Sequence, residues 1–450
     1  MVVIAICTVI YGQMSQVLPP AVSVATDGHD PDDPYSPLRV PGFRWFVASV
    51  LTMAMGAQIQ GLVVAWQMYA LTHDPLALGM VGLAEALPFI GLALPAGHIA
   101  DARDRRRIAL LTLVVLATCA LGLAALSFVV RRGAGGPPAW ARWSIYAVII
   151  VCGVARSFLL PARNALASEV VPRPLFARAT AWRTGIWQVA AVVGPAVGGV
   201  LYGLVGPTTS YLVAAVLMAM AFLAVWRIRV VAPRALGPRI GLATGVREGL
   251  VFLFARRLFI GAMTLDLLAV LFGGAVALLP IFAEEILRSG PRGLGLLRAA
   301  PAIGAVIMSG ALAVGRPPRR AGRAFLGGVT IFGATIVGFA LSRSLWLSVA
   351  MLAVGGAADM LSINFRSTMV QVLVPPSMLG RVSAVNQIFI GSSNEIGAFE
   401  SGVAARLLGT VPSVVVGGAI TMFVTLVVAW RVPELRRLDR IEAEPDVRAA

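Results

Sequence analysis

The chain has 450 residues, 58% of them hydrophobic and only 13% charged. Its mean hydropathy is +0.86, whereas a soluble domain carries about 25% charged residues. This excludes an ordinary soluble fold and implies an all-α membrane protein that crosses the bilayer many times. The formal charge of +16 comes from arginines in short loops between apolar segments, so it reads as membrane topology and not as nucleic-acid binding.

All 37 basic residues are Arg, which with the Ala, Gly, Val and Pro richness suggests a GC-rich bacterial genome. Cys7, Cys119 and Cys152 are far apart, and His29, His73 and His98 are isolated. No metal site, disulfide framework, Walker loop or nucleophile–base constellation is visible, so no cofactor, ATP-driven motor or enzyme is predicted.

Residues 1–40 read as a disordered cytoplasmic extension. Val2 to Ile10 is too short to span, and Asp27 to Pro37 is rich in Asp and Pro. A misplaced start codon is an alternative account of residues 1–38. Twelve apolar segments of spanning length follow, near 44–70, 77–100, 107–130, 143–163, 180–204, 208–226, 258–283, 292–314, 324–342, 345–372, 380–405 and 411–430. They group into an N-terminal six-helix bundle (41–228), a cytoplasmic linker (229–256), a C-terminal six-helix bundle (257–432) and a cytoplasmic tail (433–450). The linker contains an amphipathic stretch from Val246 to Phe254. Six plus six is the plan of two pseudo-symmetric bundles around a central cavity.

Arginine is dense in alternate loops. Arg103, Arg105, Arg106, Arg107, Arg173, Arg178, the linker arginines, Arg316 to Arg323, Arg381 and the tail arginines lie on one side. Arg131, Arg132, Arg142, Arg288, Arg292 and Arg343 lie on the other. The dense side is predicted to be cytoplasmic, with both termini there.

Ionisable residues inside spans are costly and normally face a hydrated cavity or a partner. The candidates are Glu85 in span 2, Arg156 in span 4, Asp266 in span 7, Arg298 in span 8, Asp359 and Arg366 in span 10, and Glu395 and Glu400 in span 11. Each has a structural reading beside a proton-coupling or substrate-binding one. Arg156 suits a carboxylate partner, Arg298 either snorkels outward or pairs, and Arg366 either lies at the boundary or faces the cavity. Asp359 and Arg366, about 10 Å apart along one helix, are too distant for direct pairing. Span 11 is the most polar, with Glu395 deep and Glu400 nearer the outer mouth. Spans 3, 6, 9 and 12 carry no charge, as expected if every third helix faces lipid. Trp66, Tyr69, Trp182, Trp187 and Phe389 are anchors, packing residues or stacking surfaces for an aromatic substrate.

The loop from Gly97 to Arg107 resembles the signature Gly-x-x-x-Asp-Arg-x-Gly-Arg-Arg of the major facilitator superfamily. It matches at Gly97, Asp101, Arg105 and Arg106 and departs at Ala102 and Asp104. The resemblance implies a gate in which Asp101 faces the start of helix 11 and the arginines hold neighbouring helices. The second-half counterpart, Gly315 to Arg323, has no acid. Gly194, Pro195, Gly198 and Gly199 resemble the Gly-Pro-x-x-Gly-Gly motif of proton-driven drug exporters. Arg156 stands where such exporters carry a motif Arg, although Leu159 and Leu160 depart from their continuation. Stretches around Leu71 to Gly79, Arg381 to Asn386 and Ser393 to Gly402 resemble the bacterial branch that includes enterobactin exporters.

These resemblances imply the major facilitator fold, and a monomer in the bacterial cytoplasmic membrane exporting a small organic molecule by alternating access and proton antiport. Its partners would be the substrate, protons and the lipid bilayer. A lipid or lysolipid translocator on the same fold and a non-transporting membrane sensor remain alternatives. If the first loop is the intact gate, Asp101→Asn should impair transport more than any single change within Arg316 to Arg323. Side-by-side transport assays of these variants check this, and equal effects would mean that both loops do the same work.

Overall fold

The computed structural model describes residues 33, 35–132, 138–228, 242–315, 320–375 and 378–439. The rest of the expected extension, residues 229–241 of the linker, residues 316–319 of the second loop and 440–450 of the tail lie outside the described residues.

Among the described residues, ten helices are long and apolar enough to cross a membrane. One of them, Phe176–Arg227, is 52 residues long and breaks at Gly206. There φ is 77° and ψ 179°, a backbone region essentially reserved for glycine. It is therefore two spans. A further helix of spanning length, Leu379–Leu408, stands outside the apolar set because of its polar residues, Asn386, Asn394, Glu395 and Glu400 among them. The twelve are α1 (Pro41–Thr72), α2 (Pro75–Ala102), α3 (Arg105–Arg132), α4 (Ala139–Val170), α5 (176–205), α6 (207–227), α7 (Arg257–Gly273), α8 (Gly290–Val314), α9 (Ala321–Leu341), α10 (Leu345–Leu373), α11 (Leu379–Leu408) and α12 (Thr410–Arg431). Beyond α7 the chain continues through a 3₁₀ turn, Ala275–Leu278, to a π-helical turn, Phe282–Ile286.

The two halves repeat each other's backbone devices. A left-handed non-glycine residue joins α1 to α2 (His73, φ 49°) and α7 to α8 (Arg288, φ 48°). A positive-φ glycine joins α5 to α6 (Gly206) and α11 to α12 (Gly409). The pairs that join the halves, α2 with α11 and α5 with α8, are likewise related by the six-helix repeat.

Part of the expected disordered extension is instead folded. Ser36–Arg39 forms a helical turn before α1. Tyr35 packs on Trp182, ring centroids 6.1 Å apart, and Arg178 donates to the Asp33 carbonyl at 3.0 Å. These contacts, made by residues within a Pro-rich and Asp-rich stretch, tie it to the start of α5. In the linker, Leu242–Phe254 is helical. It packs on the start of α11, where Glu248 pairs with Arg381.

The two ends of the bundle differ. At the end opposite the arginine-rich loops, one apolar cluster unites both halves, with Tyr69, Ala77 and Tyr211 from the first and Leu278, Phe282 and Phe339 from the second. Towards the arginine-rich end the core divides into clusters that each stay within one half. Glycine positions follow the same gradient. A Cβ on Gly79 would lie 3.0 Å from the Gly402 Cα, and one on Gly199 would lie 2.5 Å from the Pro291 carbonyl. A Cβ on Gly91, Gly97 or Gly380 would meet nothing within 4 Å. The halves therefore touch backbone to backbone at the arginine-poor end and open apart at the other.

Close crossings also occur within one half. A Cβ on Gly304 of α8 would run into the Ala353 carbonyl of α10, and one on Gly356 into the Pro301 carbonyl. The two kinds of crossing should respond differently to added bulk. Gly304→Leu is expected to lower stability by about 1–3 kcal/mol, the usual overpacking cost, read as an earlier melt in detergent. Gly199→Leu should melt near wild type and wedge the halves apart, so that a reporter Ala398→Cys on α11 reacts faster with a membrane-impermeant maleimide.

Candidate functional site

Seven of the eight intramembrane charges singled out in the sequence gather into two clusters, and four of them are ion-paired. The first cluster lies within the second half. Arg366 of α10 pairs with Asp266 of α7 at 2.5 Å, both side chains under 8% exposed. Asp359, seven residues before Arg366, lies within electrostatic reach of both. Arg366 is thus not a boundary residue. The distance along α10 that bars direct pairing with Asp359 leaves Arg366 to the acid of α7. One carboxylate is bonded to the guanidinium and a second lies in its field, and among the described residues Arg366 Nε and Ser362 Oγ are buried without a hydrogen-bond partner.

The second cluster lies on the seam between the halves. Arg156 of α4 pairs with Glu85 of α2. Glu395 of α11 lies under the combined charge of Arg156 and of Arg298 on α8. A Cβ on Gly82, one turn before Glu85, would be 3.6 Å from Glu395 Oε2. Arg298 does not snorkel outward. Its guanidinium lies against Gly61 of α1, where a Cβ would be 3.3 Å from Nη2. Two acids and two arginines from four helices of both halves therefore balance where α2 meets α11. Glu400 is not part of this group. Five residues beyond Glu395 it points about 140° away around the helix, and among the described residues it makes no ion pair.

In the signature loop, Arg105 pairs with Glu169 at the end of α4. Arg106 donates to the carbonyls of Val225, at 3.3 Å, and Trp226, at the end of α6. The two arginines thus hold the helices neighbouring the loop, and a cation at a helix C-terminus meets the negative end of its dipole. The Asp101 side chain lies outside the described residues. The helix 5 motif is a packing hub. Gly194 and Gly198 lie against Gln58 and Ile59 of α1, while Gly199 and the Pro195 carbonyl lie against α8.

Several residues escaped the sequence reading. At the arginine-poor end Tyr69 hydrogen-bonds Glu285 across the halves, and Arg406 reaches Asp74 at 3.4 Å. Glu285 sits just past the expected end of span 7 and so read as loop. Arg163 and Arg183 sit at the inner margins of spans 4 and 5, where arginine is ordinary, and nothing in the sequence separates them from interfacial residues. Of the aromatic candidates, Trp66 and Trp182 are buried, whereas Trp187 is 42% exposed beside Arg163.

Comparison with known proteins now decides the family. The model of a major facilitator family described as transmembrane secretion effectors matches residues 32–449. The chain belongs to that family. The enterobactin exporter EntS of Escherichia coli O157:H7 is 25% identical to this family member over 400 residues, covering 88% of this chain and 93% of that exporter. Among solved structures, a POT family transporter in complex with a thioalcohol-conjugated peptide superposes with a TM-score of 0.69 at 12% identity, covering 88% of this chain and 96% of that one. The nucleoside transporter NupG gives 0.66 at 13%, covering 88% and 99%. A bacterial homologue of the human lysosomal transporter Spinster, inward-facing and unoccupied, gives 0.63 at 14%, covering 89% and 97%. These three show the fold. The chain is a multi-pass secondary transporter of the major facilitator type and not an enzyme.

The Asp266–Arg366 pair is buried enough for its removal to be costly. Arg366→Gln should destabilise by about 3–5 kcal/mol, because it leaves an uncompensated buried carboxylate. Adding Asp266→Asn should recover most of that loss. Melting of the single and double variants in one detergent checks this.

Proposed function

We propose that the chain is a monomeric exporter in the bacterial cytoplasmic membrane that moves a siderophore-like or drug-like molecule by alternating access, coupled to proton antiport. Export rests on the likeness to the enterobactin exporter over nearly its whole length. The arginine-rich end and both termini are assigned to the cytoplasm by the positive-inside rule. On that assignment the structure is open inward and closed outward.

The observation that carries the coupling is the placement of Glu395. To open outward, α2 must part from α11 and α5 from α8. Ionised Glu395 draws α11 towards Arg156 in the first half and so favours closure. Protonation removes that attraction and shifts the population towards the outward-open state. By reciprocity the outward-open state takes up the proton. Return to the inward-open state restores the arginine contacts and releases it. The cluster of Asp266, Asp359 and Arg366 supplies a second candidate, since two acids facing one arginine leave a carboxylate that a proton neutralises without breaking the pair.

Comparing metabolites retained by cells with and without the gene identifies the substrate, which is then offered to inverted vesicles with an acidic lumen. Uptake is expected to follow the imposed gradient. Glu395→Gln should cut gradient-driven uptake by about tenfold, within the usual range for a coupling free energy, and spare exchange without a gradient. If Glu85→Gln, Asp266→Asn and Glu395→Gln each leave gradient-driven uptake intact, the coupling scheme is wrong.

A further inference from the structure

A charge taken out of water demands a counter-charge. Arg156, Arg366, Arg105 and Arg381 each have a carboxylate partner, and Arg298 has Glu395 within reach. Arg163 of α4 and Arg183 of α5 break this rule. Neither makes an ion pair among the described residues, and the charge acting on Arg163 is that of Arg183, another cation. Arg163 Nε is buried without a hydrogen-bond partner, and its Nη1 meets only the Met53 sulfur of α1, at 4.0 Å. Arg183 donates to the neutral Asn164 amide at 3.4 Å.

The surroundings suit a ligand. α4 and α5 are not a closely packed pair, and these side chains reach into the space between them. Trp187, one turn after Arg183 and on its face of α5, presents its ring 5.6 Å from the Arg163 guanidinium and is 42% exposed. The site lies in the half of the first bundle nearer the arginine-rich end, where the two halves stand apart. Two unneutralised guanidiniums beside an open indole match a planar or apolar body carrying an anionic oxygen group, held by charge-assisted bidentate hydrogen bonds.

We infer that Arg163, Arg183 and Trp187 form the binding site for the anionic end of an amphipathic organic acid, so that the transported substrate is an anion. This rests on the transporter reading and not on proton coupling. Such a substrate supplies the missing counter-charge when it binds and removes it when it leaves.

Binding to the purified full chain at equilibrium, with no pH gradient, tests it. The probes are 1-naphthoate and its neutral analogue 1-naphthamide. Naphthoate should bind at least about tenfold more tightly, the worth of one charge-assisted hydrogen bond. Arg163→Gln and Arg183→Gln should each abolish that preference, and Arg163→Lys should keep part of it. Trp187→Leu should weaken both probes alike. Should Arg163→Gln fail to fold, the more accessible Arg183→Gln decides. Equal binding of the two probes, or an unchanged preference in the Arg183 variant, overturns the assignment. Loss of naphthoate binding in phosphatidylglycerol nanodiscs but not in phosphatidylcholine ones also overturns it, by giving the site to a lipid headgroup. Because no gradient is applied, failure here leaves the exporter reading standing, and failure of gradient-driven uptake leaves this site standing.

Discussion

An unpaired charge in a hydrocarbon slab is the constraint on which this structure turns. Each Asp, Glu or Arg at mid-bilayer costs about 2.5–3.5 kcal/mol even on lenient insertion scales. The chain offsets this by pairing helices through their charges: α2 with α4 by Glu85 and Arg156, α7 with α10 by Asp266 and Arg366. Each pair ties together helices of one half. The charges outside these pairs include Glu395 and Arg298 on the seam and Arg163 and Arg183 beside the open space, places where a transporter needs charge that can be satisfied in more than one way.

The seam is built for separation as well as for contact. Where α2 crosses α11 and α5 crosses α8, glycine brings the backbones together without interlocking side chains. A small-residue crossing gains dispersion energy over a short length and loses it cleanly when the helices part. Its polar locks are few and peripheral, namely Tyr69 with Glu285 and Asp74 with Arg406. Within the second half α8 and α10 meet more closely still, an added Cβ on Gly304 or Gly356 running into a carbonyl oxygen of the facing helix. The same residue type thus makes a parting surface between halves and a fixed one inside a half.

The architecture was legible because hydrocarbon thickness imposes a length on every span and arginine marks alternate loops. Both signals are local. The pairing of charges was less legible, because helix order in space is not written in helix order along the chain. Arg366 illustrates this. Its own helix offered only Asp359, too far along the axis to reach, and its partner Asp266 lies 100 residues away on α7. Arg298 was left between snorkelling and pairing for the same reason, since Gly61, which makes room for it, lies in the other half. Arg163 and Arg183 were invisible as a site. An arginine near a span's inner margin is ordinary, and only the lack of an acid partner among the described residues sets it apart.

The two charge clusters differ in position, one on the seam between the halves and one inside the second half. Glu395 stands where α2 and α11 must separate, so a change in its charge acts directly on the energy of the seam. Asp266 and Arg366 lie wholly within the second half and keep each other whichever way that half tilts. A proton on Asp359 therefore alters the charge within the second half more than the force between halves. Coupling needs the first kind of change, because a ligand shifts a two-state equilibrium only by its differential interaction with the two states. Under the proposed coupling, Glu395 is thus the intramembrane carboxylate whose protonation the rocking of the halves senses, whereas the second-half cluster balances its charge within one half.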